Sequence, residues 1–399
     1  MPGITGIGTT FNLPNYHGQL FSLTPADTPL LSAIGGLTGG GQTDSTTFEW
    51  QTYDLRDPDQ RTRTEGATAP TAEQRTRQNV TNVLQIHQER VNVSYTKQAA
   101  IGNFNGANIN GTNPVQDEMS WQVEQSIKQI ARDANWSFIN GRFQSPTDNT
   151  TPRRTRGVLQ AITTNLVHKG TNVATGASSA TGVITPVSAH TLTVGTRVVF
   201  SSIGTMTNVV AGRVYFVTGV NTTVSFVISA TAGGAPITVG TSTANIDYHS
   251  LSATALDVPT VNALAQQVFD NGGLTDGLGT FLVNSSQKVA LTRAYASAYG
   301  QVNPFITGER IGGVAVEQVV TDFGTLNIVV DRAVPQDAII LASLSQLRPV
   351  FMNIPGKGVF FEEPLAKTGA SEDVQIYGEI GLEYGAQSTH GVLRGLPVS

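Results

Sequence analysis

The chain has no cysteine among its 399 residues, which excludes disulfide frameworks, thiolate metal sites and thiol nucleophiles together. Charge is also scarce. Only 13% of residues are Asp, Glu, Lys or Arg, about half the share usual in soluble domains, and the formal net charge is -5. A dedicated nucleic-acid binder needs a basic stripe and a high pI, so this balance argues against one, whereas a neutral-to-acidic container fits it. No run of about 18 apolar residues occurs, and the opening MPGITGIGTTFNLPNY has neither a basic n-region nor an apolar stretch of signal-peptide length. The sequence reads as neither membrane-spanning nor exported by that route. What the chain has instead is 42 glycines, abundant Thr, Ser, Ala and Val, and 39% hydrophobic residues, enough for packed cores in two or three β-rich domains.

Motifs that carry chemistry are missing too. GGLTGGG at 35–41 is followed by no Gly-Lys-Ser or Gly-Lys-Thr and preceded by no strand, so it reads as a hinge rather than a phosphate loop. His87-Gln88-Glu89 lacks the second histidine of a zinc motif and reads as a solvated hairpin face. His17, His87, His168, His190, His249 and His390 are scattered without ligand spacing, each structural or exposed. No serine sits in a Gly-x-Ser-x-Gly elbow, and adjacent Glu362 and Glu363 would face opposite sides of a strand. The expectation is a protein with no catalytic, cofactor-binding or metal site, and not an enzyme.

The most informative stretch lies between Phe48 and Tyr95. Two strand-like runs, TTFEWQTY and VTNVLQIHQERVNVSYT, flank residues 54–79, whose sole large aliphatic side chain is Leu55. No core can form in that tip, so it must be disordered or lie on something else, and another copy of the chain is the expected partner. Its charges, Arg56, Asp57, Asp59, Arg61, Arg63, Glu65, Glu73, Arg75 and Arg77, are mixed and nearly balanced, which suits register-setting pairs across subunits. Leu84 and Ile86 occupy even positions whereas Val91, Val93 and Tyr95 are odd, predicting a bulge or sharp bend across 88–90.

Residues 1–26 are too sparse in apolar residues for a unit of their own and read as an arm, anchored by a short helix over Pro29, Leu30, Leu31 and Ile34 that stops on Gly35-Gly36. Asn113-Pro114 to Asn140-Gly141 predicts a long helix with one apolar stripe of Val115, Met119, Val123, Ile127, Ile130, Ala134 and Phe138. Trp121 and Trp136 fall off that stripe, as expected of contacts with a second layer or a neighbouring subunit. From 170 to 250 the only Asp, Glu, Lys or Arg residues are Arg197, Arg213 and Asp247, and HTLTVGTRVVF, GRVYFVTGV and TVSFVISA give strands at sandwich or barrel spacing, predicting an inserted β module. Helices are then predicted from Asp257 to Asn271 and from Ser285 to about Ala298. Strands follow, ending in DVQIYGEIGLEYG, with Val374, Ile376, Ile380, Leu382 and Tyr384 on a buried face and Gln375, Glu379 and Glu383 on a wet one.

This order of arm, long hairpin, spine-like helix, mixed α/β unit and returning strand resembles the major capsid protein of tailed bacteriophages, the Hong Kong 97 fold. TPLLSAIGG, FEWQTYDLRDP, QIHQERVNVSYTKQA and FFEEPLAKTGASEDVQIYGEIGLEYG carry the resemblance, which covers nearly the whole chain outside 170–250. It implies an α+β fold with an N-terminal arm (1–44), an extended loop (45–98), a peripheral domain (99–169, spine helix 113–140), an inserted β domain (170–252), an axial domain (253–345) and a return to the peripheral domain (346–399). It further implies pentamers and hexamers in an icosahedral shell around double-stranded DNA held without sequence-specific binding, no membrane, assembly in the host bacterial cytoplasm, and scaffolding, portal and decoration proteins as partners. Some members crosslink an extended-loop lysine to a neighbour's asparagine, but no lysine precedes Lys97. The expected shell is non-covalent. With the arm starting at Met1, scaffolding is expected as a separate protein or not at all. The rival reading is a decoration protein or adhesin whose module at 170–250 binds host surface glycans. A glycan hydrolase would need a carboxylate pair about 5–10 Å apart in a cleft, which the sequence does not offer.

Overall fold

Thr28-Pro29 and the glycines at 35 and 36 bound a single helical turn, α1 (Pro29–Ala33), as their start and stop chemistry predicts. The computed structural model describes residues 22–99, 117–146, 148, 150–170, 174–221, 223–275, 278–298, 317–367 and 369–398. After α1 come β1 (Gly41–Thr43), β2 (Thr47–Tyr53), β3 (Arg77–Val83), β4 (Gln85–Ser94), the turn α2 (Tyr95–Ala99) and the long helix α3 (Glu118–Asn140). Next are α4 (Val158–Ala161), β5 (Leu166–His168), β6 (Ala174–Ser178), β7 (Val183–Pro186), β8 (Arg197–Ile203), β9 (Val214–Asn221), β10 (Ser225–Ser229) and β11 (Ser242–Ser250). Helix α5 (Val258–Asp270), β12 (Leu278–Val283) and helix α6 (Ser285–Ala298) lead to β13 (Gln318–Thr321), β14 (Gly324–Val330) and β15 (Ile339–Ala342). The chain closes with β16 (Arg348–Met352), β17 (Phe360–Pro364), β18 (Ser371–Glu383) and β19 (Gly391–Arg394).

Among the described residues these strands build two open sheets, a closed barrel and a hairpin. One sheet runs β1-β16-β18-β17 with β4 on the other side of β18, and the second runs β13-β14-β12-β15-β19-β5. Strands β6 to β11 close as β10-β7-β6-β11-β8-β9 around their own core, which includes Phe200, Tyr215, Phe226 and Tyr248. The class is α+β, as expected. Helix α5 buries Val261, Leu264, Ala265 and Val268 against the second sheet, the face its spacing predicts.

The central core lies where α1 and α3 meet both sheets, with Leu30, Leu31, Phe138, Ile340, Phe351, Ile380 and Leu382 all buried. A buried polar knot fixes that meeting. Asp331, 1% exposed, accepts hydrogen bonds from Asn135 Nδ2 at 2.9 and 3.2 Å, Leu30 N at 3.3 Å and Ala333 N at 2.8 Å. Asn135 Oδ1 in turn accepts from Leu31 N at 2.9 Å, so the free N–H groups of α1 are capped from two distant elements and not by Thr28. Asp331→Ala would leave those buried donors unpaired. Urea unfolding is expected to show a loss of about 3 kcal/mol, with Asp331→Asn losing less; an unchanged midpoint for the alanine variant would contradict this.

Several expectations are corrected. The long helix starts after Asp117, an extended residue whose carboxylate accepts from Met119 N at 3.1 Å; Asn113, Pro114 and Val115 lie outside the described residues. Ile127 is 44% exposed, so the buried stripe is interrupted there. The phase change expected at 88–90 occurs instead at Leu84, which sits fully buried between β3 and β4, while β4 pairs with β18 without a break from Gln85↔Ile380 to Ser94↔Ser371. His87 is consequently buried at 7% exposure and Ile86 is turned outward. In β18 the even face is buried as predicted, but Glu379 is buried as well. Arg153 Nη2 donates to it at 2.8 Å and the Tyr377 hydroxyl at 2.6 Å, supplying the partners a buried carboxylate requires.

Candidate intersubunit surfaces

Strands β2 and β3 pair from Thr47↔Val83 to Tyr53↔Arg77, and beyond them residues 54–76 are exposed throughout and contain no helix or strand. Leu55 is 67% and Tyr53 71% exposed. The segment is not a loose coil of charges, however. Glu73 on the returning limb receives Arg61 at 2.6 Å and Arg56 at 3.6 Å from the outgoing limb, and its near neighbour Arg75 at 3.0 Å. The bonds to Arg61 and Arg75 hold the Glu73 carboxyl below its ordinary range. These contacts tie the two limbs into one tongue. Arg56, Arg61 and Arg75 thus converge on a glutamate of their own loop, a pairing within the chain that the sequence reading did not include. Asp57, Asp59, Arg63, Glu65 and Arg77 make no side-chain ion pair with the described residues and stay presented to solvent.

The tongue is firmly mounted at its root. Trp50 Nε1 donates to Gly385 O at 2.8 Å, and its ring meets Tyr384 edge-on at 4.7 Å. Phe48 lies over Gly381, where any Cβ would come within 2.7 Å of the phenyl ring, so only glycine lets the hairpin seat on β18. Asn82 is fully buried: its Nδ2 donates to Leu382 O at 2.7 Å and Arg156 O at 3.2 Å, and its Oδ1 accepts from Arg156 N at 2.8 Å. Sequence reasoning missed Asn82, Gly381 and Tyr384 as mounting residues. The partners of Asn82 are 74 and 300 residues away.

On α3, Trp121 is half-buried and Trp136 is 50% exposed. Trp136 borders a cleft of about 1250 Å³ between the barrel and the rest of the chain, also lined by Asn140, Gly212 and Pro335. Across this junction Arg142 Nη1 meets Asp247 Oδ2 at 3.3 Å, Arg197 Nη1 donates to Val398 O, and the His249 imidazole contacts the buried Asp337 carboxylate. The two chain crossings into the barrel are pressed together, since a Cβ on Gly170 would stand 1.8 Å from Ser250 O. Burial, helped by His249 and Arg394 and opposed by Asp337, holds the His168 imidazole down to about 4. Among the described residues no group of three or more His, Asp or Glu is placed to hold a metal, and no helix is long and apolar enough to cross a membrane.

The family model described as SU10 major capsid protein matches residues 3–397. Among solved structures, the Cyanophage A-1(L) capsid asymmetric unit superposes with a TM-score of 0.56 at 10% identity, covering 97% of this chain and 98% of that one. The holo-SrpI encapsulin complex of Synechococcus elongatus PCC 7942 gives a TM-score of 0.47 at 11% identity, with 97% and 93% covered. Mycobacterium phage Bobi gives 0.49 at 10%, with 97% and 96% covered. The likeness to the Cyanophage A-1(L) capsid subunit, with a TM-score above 0.5, shows a shared fold. No curated protein matches the chain in sequence.

Proposed function

Since the chain belongs to the SU10 major capsid protein family, it is a shell-forming major capsid protein of the virion, and we propose how its surfaces close that shell. Copies assemble as pentamers and hexamers into an icosahedral shell around double-stranded DNA. The tongue at 54–76 lies across an adjacent copy, the arm at 1–44 ties beneath another, and residues 253–345 meet their equivalents around each capsomer axis. The extended loop spans 45–98, residues 99–169 and 346–399 form the peripheral part, and 170–252 is an insertion carried on it. Asp57, Asp59, Arg63, Glu65 and Arg77 pair with complementary charges on the neighbour, and Trp121 and Trp136 are further contacts. The observation that carries this reading is the tongue itself. A segment of this length, exposed throughout yet bolted at its root by buried hydrogen bonds, contributes little to its own chain and suits a partner's surface.

Many moderate contacts repeated in a closed lattice then give stability by number. A net charge of -5 suits a lumen that does not grip packed DNA. Scaffolding, portal and decoration proteins are the expected partners, and assembly takes place in the host bacterial cytoplasm. Sedimentation of the purified chain, alone and with the proteins that accompany its assembly, tests the reading: large closed particles support it and small discrete oligomers in both cases oppose it. The tip contains no lysine, so boiling such particles in detergent should return one band at 42.1 kDa; higher bands would contradict a non-covalent shell.

A further inference from the structure

Charge is unevenly placed on this acidic chain. The cleft that Trp136 borders runs into a second one of about 500 Å³, since both share Trp136, Asn140, Gly212 and Pro335. The larger part is lined by Arg142, Arg154 and Arg394 and the smaller by Arg213 and Arg332, against the carboxylates Asp247 and Asp337. A chain of net charge -5 thus holds a concave, positive seam between its barrel and its body. Much of that charge is uncompensated. Asp247 meets Arg142 and Asp27 meets Arg332, but Arg154, Arg213 and Arg394 form no ion pair with the described residues. Arg154 and Arg213 are exposed, and Arg394 Nε is buried without a hydrogen-bond partner among the described residues. Backbone hydrogen bonds to Gln144, 3.0 and 3.1 Å long, fix Arg154 just past the end of α3, while Arg213 leads into β9 on the barrel side.

The tongue carries the opposite sign at its tip. Glu73 takes up Arg56 and Arg61, so the outgoing limb presents Asp54, Asp57, Asp59 and Glu65 to solvent against Arg63 alone. Within it, Asp57-Pro58-Asp59 sets an apolar ring between two carboxylates. Residues 54–76 line neither part of their own chain's cleft. The larger part, at about 1250 Å³, exceeds the ~300–1,000 Å³ of pockets that take small ligands, and is of a size for a segment of chain. Half-exposed Trp136 stands where the two parts join, and Trp and Arg are the side chains that most often dominate interface energies.

We propose that the cleft between barrel and body is the socket for the tongue tip of a second copy, with Pro58 against Trp136 and Asp57 and Asp59 paired to Arg154 and Arg213. This deepens the shell reading and rests on it. Opposite signs on the two surfaces fix the register of docking, and guanidinium–carboxylate pairs can each form two parallel hydrogen bonds. Because Arg213 belongs to the barrel and Arg154 to the body, the inserted module supplies one wall of the socket.

Charge reversal tests the pairing. Asp57→Arg with Asp59→Arg inverts the tip, and Arg154→Glu with Arg213→Glu inverts the cleft; all four side chains are exposed, so the urea midpoint of each monomer should match the parent. Each double variant is expected to lower the yield of sedimenting particles at least about tenfold, and the chain carrying all four changes to recover it to within about twofold. Normal particles from the tip variant alongside a failing cleft variant would hand the arginines to another acidic partner and overturn the proposal. Normal particles from the cleft variant, or no recovery in the fourfold chain, would also overturn it. A second measurement leaves these charges in place and uses the absence of cysteine. Chains with Gln60→Cys are assembled with chains carrying Ala211→Cys in the cleft wall, oxidised, and run in denaturing gels without reductant. A band of twice 42.1 kDa is expected in the mixed particles and not in either chain alone. No such band, or one equally strong without mixing, would contradict the socket. Failure of the parent chain to form particles would strike the shell reading itself.

Discussion

Replacing residues 54–76 by a two-residue Asn-Gly turn is expected to leave the chain folded and to abolish shell formation. The hairpin is already in register for such closure, because Tyr53 and Arg77 are direct partners at its end and a type I′ turn matches strand twist. The deleted residues bury nothing in their own chain, and their ion pairs around Glu73 are exposed and worth little to stability. Shortening the loop lowers closure entropy by about 2 kcal/mol, so the monomer should resist urea slightly better than the parent. Loss of particles together with retained or increased stability would place the tongue's role between copies. Closed shells formed by the shortened chain would remove the tongue from the mechanism, and a destabilised monomer would show that the tongue supports its own fold.

Acid should weaken the fold, and His390 is one clear contributor. His390 is fully buried, its Nε2–H donates to Tyr384 O at 2.9 Å and its Nδ1 accepts from Ser343 N at 3.2 Å, so the neutral ring uses both nitrogens. A second proton would set two N–H groups against each other. Burial holds this imidazole down to about 4, from an ordinary 6.5. Between those values the unfolded chain binds the proton and the folded chain does not, so stability falls as pH drops from 6.5 toward 4. The arithmetic gives a loss of about 2 kcal/mol at pH 5 and about 3 kcal/mol below pH 4 from this residue. His168 and His87, both pushed down chiefly by burial, act in the same direction. Urea midpoints at pH 8 and pH 5 measure the effect. His390→Gln, which keeps a donor and an acceptor, should flatten the acid limb; an equally steep limb in the variant would assign the loss elsewhere.

Locally encoded elements were legible in the sequence. Helix α5 begins after Asp257 with Pro259 in its first turn and ends before Asn271-Gly272, signals that all lie within or beside its own span. The even face of β18 follows from alternation alone. What the sequence concealed depends on partners far along the chain. The face of β4 is set by its uninterrupted ladder to β18, which buries His87 and exposes Ile86 against the apolar pattern. Glu379 is drawn inside by Arg153, 226 residues away. Spacing left the inserted strands as sandwich or barrel, and the choice of a closed barrel is made by pairings of β6 with β11 and β7 with β10 across long separations. Composition located the exposed tongue, because a segment whose sole large aliphatic side chain is Leu55 cannot bury itself. The convergence of Arg56, Arg61 and Arg75 on Glu73 needs the two limbs side by side, which residue types alone do not specify.

The most direct measurement is electron microscopy of particles assembled from the purified chain, at a resolution that traces the backbone from Tyr53 to Arg77. The account predicts closed shells in which residues 54–76 lie on an adjacent copy while Trp50 and Asn82 stay seated on their own. Small discrete oligomers, or shells in which the tongue folds back on the chain that carries it, would contradict it.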